Sequence, residues 1–173
     1  PQWYVGTVTS SMEVGGVGWP GLLGMTMTAI VSGCPVQSSV LSRSEAYALN
    51  TSFEHPTLVI DTQAVDAQYR ALRAGLGDAL IHYAVKANPA PEVIATLARL
   101  GCRFDAASRG EIALCLSQGV PAAHISFGNT VKRASDVAFA YKAGVTLFAA
   151  DAEEELEKIA EHAPGAPVYI RGV

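Results

Sequence analysis

The sequence predicts an α/β fold, a partial (β/α)8 barrel with about five strands present, and three observations predict it. From Pro56 onward, strand-like and helix-like segments alternate strictly. The helical segments are single and amphipathic, so the strands they join need right-handed crossovers and lie parallel. The repeats are nearly even, and no G-x-G-x-x-G turn follows the first strand, which argues for a barrel and against a dinucleotide-binding sheet. A complete barrel takes about 250 residues, so a chain of 173 carries part of one.

The first fifty-five residues are rich in Gly, Ser, Thr and Val without steady periodicity and are expected to be a poorly ordered or over-extended segment, with Met12, Met25 or Met27 as internal starts. Residues 56–173 form the working part. Thr57–Asp61 reads as a strand. Thr62 opens a helix whose Val65, Tyr69 and Leu72 share a face and which ends at Gly75 and Gly77. Ala79–Lys86 reads as the next strand, followed by a helix with Pro91 and Glu92 in its first turn, Val93, Ile94, Leu97 and Leu100 as its apolar stripe, and Gly101 closing it. Cys102–Ala106 is a strand. Ser108 with Glu111 three residues on predicts a capping box for a helix running to Gln118 and stopping at Gly119. His124–Asn129, Thr146–Ala150 and Val168–Arg171 are further strands. Between them lie a helix over Arg133–Ala143, ending at Gly144, and one capped by Asp151 with Glu154.

Composition excludes several classes. A net charge of −4 with 12 Lys and Arg offers no basic surface for nucleic acid. Cys34, Cys102 and Cys115 are odd in number and widely spaced, which fits neither a disulfide framework nor a metal site and points to a reducing, cytoplasmic compartment. No charge occurs between Glu13 and Arg43, yet that apolar stretch is broken by glycines and prolines, and no basic residue precedes it as a signal peptide requires. No membrane partner is expected.

In a parallel barrel, chemistry collects at the carboxyl ends of the strands. Here the five strands are expected to end at Lys86, Asp105, Asn129, Asp151 and Arg171, one polar side chain each. Asp151 is explained by helix capping. Glu111 is as well explained by its capping position as by catalysis, and His82 reads as a packed or solvent-facing ring. Lys86 differs, because it follows the apolar Tyr83, Ala84 and Val85 and must place its ammonium at a pocket mouth or lose hydration. Burial favours the free amine that attacks an aldehyde, as in Schiff-base enzymes. Asp105, one strand over, is placed to pair with it. A lysine, carboxylate and arginine rim favours such an enzyme over a hydrolase.

At these residues the chain resembles the fold-type III pyridoxal-phosphate (PLP) decarboxylases, the ornithine, lysine and diaminopimelate decarboxylase family. The resemblance lies in Tyr83-Ala84-Val85-Lys86-Ala87-Asn88-Pro89, in the block from Gly101 through Phe104-Asp105-Ala106-Ala107-Ser108 to Glu111-Ile112, and in Val168-Tyr169-Ile170-Arg171. It covers about Pro56 to Arg171. The Phe104-Asp105 block and Ser126 to Lys132 look more like ornithine or lysine decarboxylases than diaminopimelate decarboxylases.

The resemblance implies an alanine racemase-like barrel, with PLP carried on Lys86, Asp105 and Glu111 lining the pocket near that linkage, and Arg171 beside the cofactor ring. It implies α-decarboxylation of ornithine or lysine to a diamine, a step of polyamine biosynthesis, by an enzyme that is a homodimer when full length. The sequence departs from many eukaryotic relatives at Thr130-Val131, where they carry Pro-Cys before the lysine matched by Lys132. The family's phosphate loop, ring-stacking histidine, acidic partner of the pyridine nitrogen and cross-dimer cysteine-aspartate pair would follow Val173. The chain is therefore expected to be a fragment with little activity alone. The alternatives are a diaminopimelate decarboxylase, an amino-acid racemase of the same fold, or an inactive truncated relative.

Overall fold

In the computed structural model, which describes residues 3–7 and 42–172, the chain divides into two units between Gln68 and Tyr69. In the first, β1 (Trp3–Thr7) pairs antiparallel with a later strand, Thr57–Asp61, in register from Trp3 opposite Asp61 to Thr7 opposite Thr57. Helix α1 (Arg43–Leu49) opens on a capping box: Ser42 Oγ accepts from Glu45 N, and the Glu45 carboxylate accepts from Ser42 N at 2.7 Å. The strand Thr57–Asp61 is β2, and its last residue starts α2 (Thr62–Leu76), because Asp61 Oδ1 accepts from Gln63 N at 2.9 Å. The other Asp61 oxygen lies 3.5 Å from Arg43 Nε.

β1 and α1 lie within residues 1–55, and the capping box, a local device, suffices to start α1. Residues 8–41, with Met12, Met25, Met27 and Cys34, lie outside the described residues.

The second unit begins within α2 and continues as β3 (His82–Ala84), α3 (Pro91–Arg99), β4 (Arg103–Ala106), α4 (Arg109–Ser117), β5 (Ile125–Phe127), α5 (Ala134–Lys142), β6 (Leu147–Ala150), α6 (Glu153–His162) and β7 (Val168–Ile170). The five strands form one sheet in sequence order, and every pair is parallel. The partial-barrel expectation matches this arrangement.

Three successive helices end in the same way, and the sequence explains it. Gly101, Gly119 and Gly144 have φ of 77°, 78° and 95°, a conformation that costs a residue with a Cβ. Each lets the chain close a Schellman motif: Gly101 N donates to Ala98 O and Cys102 N to Leu97 O, and the same two bonds recur at Gly119–Val120 and Gly144–Val145. The residue after each glycine, Cys102, Val120 or Val145, is thereby turned into the core and buried.

Strand registers then separate two faces. Tyr83 pairs with Phe104, Ala106 with Phe127, and Phe127 with Phe148, so these aromatic side chains share one face. Phe104, Phe127 and Phe148 are buried there, as are Ile94, Ile112, Val137 and Ile159 of the helices. The opposite face carries His82, Asp105, Ser126 and Tyr169, as the pairings of Asp105 with Ser126 and of Ala149 with Tyr169 require.

A buried cation ties this sheet to its last helices. The Lys132 side chain has no exposure. Its Nζ donates to the carbonyl oxygens of Asn129 (2.9 Å), Thr130 (3.3 Å) and Ala149 (2.6 Å) and lies 3.2 Å from Glu155 Oε2. Glu155 also pairs with Lys158, whose Nζ donates to Lys132 O at 2.8 Å. The ion-pair contact with Lys132 lacks hydrogen-bond angles, so Glu155 Oε2 has no hydrogen-bond donor. Removing an ammonium from water costs several kcal/mol, and three carbonyls plus a carboxylate are what offset it.

Burial pushes the Glu155 carboxyl up, but the Lys158 and Lys132 ammonium groups beside it outweigh burial, and its pKa falls below the usual 4.5. A carboxyl with a depressed folded pKa contributes stability that is present above the unfolded value and is lost as pH falls through the folded one. Stability should therefore decline with acidification below about pH 4.5, and urea melts of Glu155→Gln should show a weaker decline. Lys132→Met should lower stability by about 3 kcal/mol or more. An unchanged urea midpoint for that variant would remove the cation from this role.

Candidate functional site

The carboxyl ends of the parallel strands form one rim, and each expected site residue can be located against it. Strand β3 stops at Ala84, opposite Asp105, and Val85–Ala87 then forms a 3-10 turn in which Val85 is buried and Lys86 is exposed. Lys86 was expected as the last residue of a strand, its ammonium at a pocket mouth or desolvated; it lies instead in the turn just past β3, exposed. The chain leaves the sheet early because Asn88 draws it round: Tyr83 Oη donates to Asn88 O at 3.2 Å, and Asn88 Oδ1 accepts from Ala90 N at 3.0 Å. The turn presents the Lys86 amine to solvent at the rim.

Asp105 is the polar centre of the opposite sheet face. Ser126 Oγ donates to Asp105 Oδ1 at 2.6 Å and lies 3.4 Å from His82 Nδ1. The room for this carboxylate comes from Gly128, which is buried: a Cβ there would lie 2.1 Å from Asp105 Oδ1 and 2.4 Å from Cγ. Burial lowers the His82 pKa, with Arg103 adding to it and Asp105 opposing. Burial raises the Tyr169 pKa, and the Asp105 charge raises it further, while Arg171 lowers it. Strand β7 ends at Ile170, one residue before the expected Arg171, yet Arg171 N still donates to Ala150 O at 2.9 Å.

Glu111 takes the part its spacing suggested, with one difference. Ser108 Oγ accepts from Glu111 N at 3.2 Å, and Glu111 Oε2 accepts from Ala107 N at 2.7 Å, where a capping box would use Ser108 N. Its carboxylate holds the β4–α4 loop.

Asp151 does not cap α6; Ala152 is the N-cap and makes no side-chain hydrogen bond. Three acidic residues in the first turn, Glu153, Glu154 and Glu155, supply favourable charge there instead. Asn129 lies two residues past the end of β5, exposed, with Nδ2 donating to Val131 O at 2.9 Å. Lys86 and Arg171 thus lie just past the ends of β3 and β7, Asp105 lies within β4, and Glu111 holds a loop.

Cys102 and Cys115 are buried free thiols, pushed up to about 11 and about 12 by burial, so neither offers a ready thiolate.

A family model, pyridoxal-dependent decarboxylase, pyridoxal binding domain, matches residues 62–172, well over half of the chain. This chain belongs to that family. It is 37% identical over 131 residues to a lysine/ornithine decarboxylase of Selenomonas ruminantium, an alignment covering 76% of this chain and 33% of the relative. A diaminopimelate decarboxylase of Pseudomonas aeruginosa is 38% identical over 125 residues, covering 69% of this chain and 30% of the relative. The crystal structure of a lysine/ornithine decarboxylase complexed with putrescine from Vibrio vulnificus matches with a TM-score of 0.70 at 35% identity, covering 76% of this chain and 37% of that one. The chain spans about a third of the length of these pyridoxal-dependent relatives.

Within this member of the family, sequence reasoning missed Ser126 and Gly128 as partners of Asp105. A signal was present, since Ser126 is the one polar residue in the strand Ile125–Phe127. Gly128→Ala should drive the Asp105 carboxylate off Ser126 and cost about 1–3 kcal/mol. A crystal structure of that variant with Asp105 unmoved would contradict the steric argument.

Proposed function

We propose that this chain carries the cofactor-lysine part of a PLP-dependent amino-acid decarboxylase acting on ornithine or lysine, with Lys86 as the residue that holds PLP. The observation that carries the reading is the exposed amine of Lys86 on a turn directly beyond the strand paired with Asp105. The donor set fits the cofactor: a primary amine to condense with its aldehyde, a carboxylate in the neighbouring strand, and a guanidinium at the end of β7. When bound, PLP supplies an electron sink for the carbanion left by loss of carbon dioxide.

The rest follows from the chain's own groups. Lys86 would hold PLP through its amine, and Asp105 in the neighbouring strand would offer a carboxylate to that nitrogen whenever it is free and protonated. Arg171 would contribute positive charge toward the cofactor, and Glu111 would line the pocket from the loop it holds. The alignment with the Selenomonas relative covers 33% of that protein, so turnover is proposed for the complete protein, a cytoplasmic homodimer in polyamine biosynthesis. Diaminopimelate is the second substrate reading, supported by the Pseudomonas relative.

Treating the protein with PLP, reducing with borohydride and mapping peptides by mass spectrometry should place the phosphopyridoxyl group on Lys86, and Lys86→Ala should abolish it. Labelling at another lysine would refute the assignment. In the complete protein, carbon dioxide release from ornithine or lysine should exceed that from diaminopimelate, and the reverse order would select the second reading.

A further inference from the structure

Asp105 is only half-buried and sits on a short side chain with free rotamers, so what it can do for Lys86 depends on what fixes it. Contacts from β5 and the residues just past it converge on it. Ser126 Oγ of β5 donates to Oδ1 at 2.6 Å, a short bond to an acceptor oxygen that leaves Oδ2 unused by this donor. Gly128, just past β5, leaves room for the carboxylate, because a Cβ there would overlap both oxygens. Tyr169 of β7 lies on the same sheet face, and the Asp105 charge pushes its phenol up. Behind Ser126 stands the His82 ring, 3.4 Å away, which gives the serine hydroxyl a second polar neighbour.

Neither Ser126 nor Gly128 is at the exposed Lys86 turn. We propose that Ser126 is a positioning residue that holds the Asp105 carboxylate at the rim of the sheet, one oxygen held and the other left for a cation. The inference rests on the decarboxylase reading for its catalytic consequence but not for its geometry.

Two measurements test it. In the protein without PLP, a crystal structure of Ser126→Ala should show the Asp105 carboxylate turned from its wild-type position. A carboxylate left in place would overturn the proposal whether or not the protein is a decarboxylase. In the complete enzyme, Ser126→Ala should lower kcat about tenfold, or about 1.4 kcal/mol, with KM changed little. Ser126→Thr, which returns the hydroxyl, should restore most of the loss.

In an Asp105→Asn background, Ser126→Ala should cost nothing more, because its effect runs through the carboxylate. Additive losses in that cycle, or failure of Ser126→Thr to rescue, would overturn the proposal while leaving PLP on Lys86 intact. If PLP does not join Lys86 at all, the decarboxylase reading fails and the position of the Asp105 carboxylate in Ser126→Ala alone decides the inference.

Discussion

Parallel pairing puts residues in register on the same side of a sheet, and the chemistry of this unit depends on that constraint. Because Asp105 pairs with Ser126, and Ala149 with Tyr169, residues from β4, β5 and β7 reach one polar face. The same registers send Phe104, Phe127 and Phe148 to the other face, where full burial of each aromatic ring contributes roughly 1.5–3 kcal/mol. A slip of one residue in any strand would exchange the two sets, burying Asp105 among apolar side chains. The apolar face therefore enforces the geometry of the polar one.

The registers need anchors, since strands of three or four residues offer few ladder bonds. The Schellman motifs at Gly101, Gly119 and Gly144 supply one anchor each, turning Cys102, Val120 and Val145 inward just before the next strand forms. Lys132 supplies another at the opposite end, collecting carbonyls from the β5–α5 loop and from β6. A buried ammonium is a costly way to do this, and an apolar side chain could fill the same volume. What a cation adds is direction: it can bind only where several carbonyls converge, so it selects one loop conformation.

Most of the fold was legible because its signals are local. The glycine stops, the Ser108 cap and the apolar stripe of α3 each depend on residues a few positions apart, and each appears where it was expected. The strand ends were less legible. Ala79–Lys86 reads as apolar and extended, but Asn88 and Tyr83 bond across the turn and close a 3-10 segment around Lys86. Asp151 looked like a cap, yet Ala152 takes that place and the three glutamates following it supply the favourable charge. The partners of Asp105 were least legible of all. Ser126 is 21 residues away and Gly128 further still, and only the sheet brings them together.

Glu111 and Asp105 show how the same side-chain chemistry divides into two duties. Both carboxylates were expected near the cofactor linkage, and both accept a short hydrogen bond. The Glu111 bond, however, comes from the backbone N–H of Ala107 within its own loop, and releasing it would leave an amide donor unpaired, at about 1–3 kcal/mol if buried. The Asp105 bond comes from a serine hydroxyl, which can rotate to His82 or to Phe104 O, 3.4 Å away, if the carboxylate turns to another partner. Asp105 thus keeps one oxygen for a second partner while Ser126 holds the other, whereas Glu111 cannot turn away without loosening the loop that starts α4.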